Sequence, residues 1–241
     1  MTAACKLKKR RPSPVNISHL RAKPKLYPPL NWSAEYGESF SSQLVLCDED
    51  AIRVYLSQPE ESFIWGGPLT ANYILRNITF HWSLRKNKGS EHTFDDKHYP
   101  VEMQVVHEKI ESEDDSKDAK EADNFLVVSY MFELSDIPNE ALQNILDTVP
   151  KSIKYANQFV PSEPFRFCDL IEKFTKNYLF YKGQLTEPQF DTCYWLFCPC
   201  KLLLSPKQLC IFKKCADYKP EMAENCKPIQ PLNKRKVFYA M

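Results

Sequence analysis

Apolar residues in this chain gather in short runs with a two-residue rhythm more often than a helical one. Tyr73 to Trp82, Val101 to His107 and Phe125 to Leu134 are rich in β-branched and aromatic side chains, and Leu44-Val45-Leu46 and Ile52-Arg53-Val54-Tyr55-Leu56 are shorter runs of the same kind. Charged or proline-containing segments separate them, which predicts a succession of strands. Helical spacing stands out in two places. Pro138, Asn139 and Glu140 supply start signals for a helix beginning near Asp136, with Leu142, Ile145, Leu146 and Val149 on one face. Ser205 is a candidate cap, with Pro206 in the first turn, for a second helix running towards Cys215. The pattern alone predicts a large sheet with a few short helices outside it.

With 241 residues, 43% of them hydrophobic, the chain has enough apolar surface for one large β-rich domain. The expected division is a basic N-terminal tail over 1–11 and a single domain over 12–241. The net charge of +1 argues for neither a nucleic-acid nor a membrane partner, but charge is unevenly placed. No acidic residue precedes Glu35, whereas Lys6, Lys8, Lys9, Arg10, Arg11, Arg21, Lys23 and Lys25 are basic. Residues 108–123 hold eight acids against three lysines. Both runs read as solvated surface, with a nuclear-localisation role for Lys8 to Arg11 as the alternative. No stretch near Met1 resembles a signal peptide and no run reaches membrane-spanning length, so the expected location is cytoplasmic. The nine cysteines then read as reduced thiols. Among Cys193, Cys198, Cys200, Cys210 and Cys215 no Cys-x-x-Cys pair occurs, and Cys198-Pro199-Cys200 reads as strand with both thiols on one face. Buried or rim thiols are the favoured reading over a structural zinc site.

Three segments carry a family resemblance: Thr79-Phe80-His81-Trp82, Gly89-Ser90-Glu91-His92-Thr93 and Glu102-Met103-Gln104-Val105-Val106-His107. Together they resemble the core of an α-carbonic anhydrase. Ser13-Pro14-Val15-Asn16-Ile17, Gly66-Gly67-Pro68-Leu69, Gly183-Gln184-Leu185-Thr186-Glu187-Pro188 and Asn225 to Asn233 resemble further motifs of that family in the same order. The resemblance implies a mainly β (α+β) fold: a central, twisted, mostly antiparallel sheet with short peripheral helices and a conical pocket. It also implies zinc held by three histidines, and places Thr79, His81 and Gln104 at the three ligand positions. Only His81 is a histidine. Thr79 and His81 share one strand face, as do Glu102, Gln104 and Val106, while His107 points away and cannot substitute without a register slip.

Threonine and glutamine are poor zinc ligands. Without the ion nothing lowers the pKa of a bound water from about 15.7 to near 7. The expectation is therefore an acatalytic carbonic-anhydrase-related protein, with no cofactor and zinc absent or weak, acting through an unknown protein partner. By resemblance Glu91 orients the Thr186 hydroxyl, Glu102 supports the third ligand, and Val106, Val127, Leu185 and Trp195 form the hydrophobic wall of the former substrate pocket. Asp50 takes the place of a proton-shuttling histidine, Glu187 sits at the rim where it repels bicarbonate, and the family's aromatic N-terminal segment is missing before Ser13. Two alternatives remain open. One is a weakly active or remodelled-metal enzyme built on His81 with Glu91, Glu102 or Glu187, and the other is a small-anion binder using the former active site.

Overall fold

In the computed structural model the described residues are 11–39, 42–47, 51–57, 61–85, 88–111, 122–155, 158–186 and 191–241. The strands are β1 (Asn16–Ile17), β2 (Lys23–Lys25), β3 (Leu30–Trp32), β4 (Ser42–Cys47), β5 (Ile52–Ser57), β6 (Phe63–Gly66), β7 (Tyr73–Trp82) and β8 (Thr93–Phe94). They continue as β9 (Val101–Lys109), β10 (Phe125–Leu134), β11 (Val160–Pro161), β12 (Tyr178–Gln184), β13 (Thr192–Phe197), β14 (Leu202–Leu204) and β15 (Phe238–Ala240). Among them, 13 join one sheet whose main path runs β11-β4-β5-β7-β9-β10-β13-β12-β15-β2. Most neighbours are antiparallel, with parallel pairs at β10–β13, β10–β14 and β15–β2. This is the expected mostly antiparallel large sheet.

The central strands β7, β9, β10 and β13 are covered on both faces, which is why their sequences read as nearly continuous apolar runs. One face carries Phe80, Trp82, Val105, Val128, Tyr130 and Leu196 into the larger core. The other carries Val127, Met131, Trp195, Phe197 and Tyr181 into a smaller one. The turn after β6 needs Gly66 and Gly67, whose φ angles of 80° and 56° lie in the left-handed region.

Helices pack outside the larger core. The expected continuous helix from Asp136 to Val149 is in fact two, α1 (Glu140–Leu146), capped by the Asn139 side chain on the Leu142 N–H, and α2 (Val149–Lys154). Pro150 explains the break, because it lacks an N–H to continue α1 yet fits the first turn of α2. After α3 (Phe167–Leu170) comes α4 (Pro206–Tyr218), which starts with a reciprocal capping box between Ser205 and Gln208. Its Phe212 packs 5.5 Å from both Phe80 and Trp82, ring centre to ring centre. The Cys198-Pro199-Cys200 reading is corrected: β13 ends at Phe197, the chain bends, and Cys198 is buried while Cys200 is exposed. Proline ends the ladder there by removing a donor. Among the described residues no helix is long and apolar enough to cross a membrane.

Candidate functional site

A bulge sets the register of the site. In β7, Leu75 faces His107 but Asn77 faces Val106, so Arg76 is the extra residue. Beyond it Thr79 lies directly opposite Gln104, and His81 directly opposite Glu102. Gln104 in turn faces Ser129 on β10. Thr79, His81, Gln104 and Ser129 are buried, and Glu102 and the nearby Glu91 fully so.

Gln104 binds this cluster together. Its side-chain nitrogen donates to Glu91 Oε2 at 2.9 Å and to Glu102 Oε1 at 3.1 Å. Carboxylates only accept, so the amide must turn its nitrogen towards them. Glu102 Oε1 also accepts from Ser129 Oγ and from His92 Nδ1, each at 2.9 Å, and its Oε2 accepts the His92 N–H at 2.8 Å. Burial alone raises the Glu102 carboxyl, but the charge and hydrogen bonds of His92, with a smaller part from His81, outweigh it and hold the group down at about 2. Glu91 Oε1 accepts the Lys227 N–H at 3.1 Å.

Thr79 and His81, the other two positions to which the resemblance assigns ligands, are also engaged. Thr79 Oγ1 donates to Asn77 Oδ1 at 3.2 Å. His81 Nδ1 donates to the Asn225 carbonyl at 3.1 Å, with Glu91 Oε1 at 3.6 Å, and this carbonyl fixes the proton on Nδ1. Asn225 is itself anchored, its side chain accepting the Trp82 N–H and donating to the Phe80 carbonyl. Among the described residues no three His, Cys, Asp or Glu side chains are grouped to hold a metal.

Thr186 is buried at the end of the β12 loop, but Glu91 is spent on Gln104 and Lys227, and no hydrogen bond joins Glu91 to Thr186 among the described residues. Val106, Val127 and Trp195 form one row across β9, β10 and β13, with Leu185 packed against the same cluster. His107 lies on the opposite face, where Tyr36 Oη is 2.6 Å from its Nε2 and its Nδ1 donates to the Val105 carbonyl. Burial pushes its pKa down to about 3. Asp50, Glu187, Lys6 to Arg10 and most of the acidic run fall outside the described residues.

Two residues of the site were not singled out in the sequence. His92 is fully buried and spans Glu102 and Tyr181, whose hydroxyl is 2.8 Å from His92 Nε2 and donates to Ser13 Oγ at 2.9 Å. Cys226 donates its thiol proton to the carbonyls of Trp82 and Gly89, and burial raises its pKa strongly.

The eukaryotic-type carbonic anhydrase family profile matches residues 1–241. The chain belongs to that family, which uses zinc. Carbonic anhydrase 4 of Rattus norvegicus is 31% identical over 237 residues, 96% of this chain and 76% of that protein. Carbonic anhydrase 4 of Mus musculus is 34% identical over 183 residues, 73% of this chain and 58% of that protein. Mitochondrial carbonic anhydrase 5A of Rattus norvegicus is 32% identical over 184 residues, 74% of this chain and 60% of that protein. The matches to the last two thus span about three fifths of their length.

These relatives correct the cytoplasmic expectation. They comprise carbonic anhydrases 4 and mitochondrial 5A and 5B, none designated cytoplasmic. The fold is shared across such proteins, so its composition carries no compartment address.

Proposed function

We propose that this chain is a carbonic-anhydrase-fold protein without zinc or carbon dioxide hydration, and that it works by binding. The donor set does not fit a catalytic zinc ion. Such a site needs three nitrogen, thiolate or carboxylate ligands. The observation that carries the reading is the Gln104 amide, whose nitrogen donates to two buried carboxylates where the family places a ligand histidine. A ligand must offer a lone pair, and this side chain turns hydrogens into the cluster. The Thr79 hydroxyl is neutral and occupied with Asn77, which leaves His81 as a single nitrogen ligand.

The pocket wall of Val106, Val127, Leu185 and Trp195 stands without the ion because apolar packing holds it. Retained walls thus support a retained scaffold and say nothing of turnover. Stopped-flow hydration of carbon dioxide by the purified full chain, with and without added zinc, tests the reading. No rate above buffer is expected in either case. A zinc-dependent rate that a sulfonamide abolishes overturns it and favours an enzyme with a remodelled metal site.

A further inference from the structure

Strand β2 closes one edge of the sheet, where among the described strands it pairs with β15 alone. A groove of about 460 Å³ beside it is lined by Arg21, Lys23, Arg235 and Lys236 above apolar Leu232 and Val237, and among the described residues no acidic side chain lines it. Arg21, Lys23, Lys25 and Lys236 are exposed and, among the described residues, none is in an ion pair. The Arg235 guanidinium is fixed by donating to the carbonyls of Arg11, Pro12, Pro231 and Leu232, so it adds a positive charge with no carboxylate against it. Asp95 and Asp96, at the Asn16 end, are held by His19 and Asn16.

Large apolar side chains are exposed along the same edge. Leu20 is 96% exposed and Leu26 78%, one beyond each end of β2. Ile229 lines the groove, and Met241, also exposed, is tied to Lys25 by its N–H on the Lys25 carbonyl. Single exposed leucines are ordinary, but leucines grouped with unpaired cations make an amphipathic surface. The near-zero net charge of the chain hides this concentration.

We propose that the β2 edge docks on an anionic phospholipid surface, with headgroup phosphates in the cationic groove and Leu20 and Leu26 in the acyl boundary. Charge complementarity selects the phosphates, and burial of the two leucines selects a bilayer over a soluble anion. A polynucleotide or a free phosphate ester would engage the cations and leave both leucines in water. The proposal is independent of whether the pocket turns over carbon dioxide.

Cosedimentation of the full chain with phosphatidylcholine vesicles, with and without phosphatidylserine, provides the test. Binding is expected only to the phosphatidylserine vesicles and is released by high salt. A basic residue near an anionic surface contributes roughly a fivefold factor, so combining Arg21→Ser, Lys23→Ser and Lys236→Ser weakens binding on the order of a hundredfold. Leu20→Ser with Leu26→Ser weakens it on the order of a hundredfold with an unchanged thermal midpoint. Wild-type binding by the triple variant, which keeps the Lys6 to Arg10 tail, overturns the proposal. Equal binding to neutral vesicles, no effect of the leucine changes, or release of the wild type by equimolar inorganic phosphate does so too.

Discussion

Gln104 holds Glu91 through a 2.9 Å hydrogen bond from its side-chain nitrogen, and the same nitrogen holds Glu102 at 3.1 Å. Both carboxylates are fully buried, so the amide supplies donors that water cannot. Replacing Gln104 by Leu removes both donors at once. The expected cost is about 3 kcal/mol, since stranding buried acceptors costs their desolvation. Urea unfolding reads this as a lower midpoint at an unchanged m-value. A loss below the noise of the transition means that the amide is not what holds the two carboxylates.

The pairing of Thr79 with Gln104 across β7 and β9 allows the proposed loss of a ligand set to be tested by building one. Thr79→His combined with Gln104→His places three imidazoles on the face that carries His81. Zinc at about a hundredfold above its dissociation constant then stabilises the double variant by about 2.7 kcal/mol. Thermal unfolding with and without zinc should show that shift in the double variant and none in the wild type. An equal shift in both would mean that the native residues already bind the ion.

His107 gives the fold an acid sensitivity from behind the sheet. Its folded pKa is lowered to about 3 against an ordinary 6.5, so the unfolded chain takes up a proton that the folded chain refuses. The sign follows from linkage: stability is intact above the unfolded value and falls as the pH drops from there towards the folded one. The slope is about 1.4 kcal/mol per pH unit. Protonation would also break the hydrogen bond from the Tyr36 hydroxyl to Nε2. His107→Gln is expected to flatten chemical unfolding free energies between pH 6 and pH 5, before carboxylates begin to titrate. An unchanged slope assigns the sensitivity elsewhere.

Thiol reactivity should follow burial. Burial raises the pKa of Cys193, Cys198 and Cys226, whereas Cys200 and Cys210 are exposed. Peptide-resolved alkylation of the native chain is expected to label Cys200 and Cys210 first and to reach the other three only on unfolding. Early labelling of Cys226 would show that the segment closing over Glu91 opens readily.

Much of this architecture was legible because β7, β9 and β10 are long and strongly apolar, and because parity along a strand fixes which side chains share a face. That parity puts Thr79 with His81 on one face of β7, and Gln104 with Glu102 on one face of β9; that the two faces meet is a matter of register between the strands. The bulge at Arg76 did not show, since it is a relation between two strands. Gln104 read as a missing ligand and not as a double donor, because Glu91 reaches it from a loop outside both strands. His92 stayed unread for a similar reason, its partners Glu102 and Tyr181 coming from distant segments. Folding likewise brings Arg21 and Lys23 beside Lys236, which the sequence separates by over 200 positions.

Zinc stoichiometry of the purified, untagged full chain, by elemental mass spectrometry after dialysis against buffered zinc, tests the central claim most directly. A site with one imidazole, a hydroxyl and an amide turned towards carboxylates retains less than roughly a tenth of a zinc per chain. Near one zinc per chain, lost on His81→Ala, would contradict the account and show that the pocket rearranges Gln104 and its carboxylates around a metal.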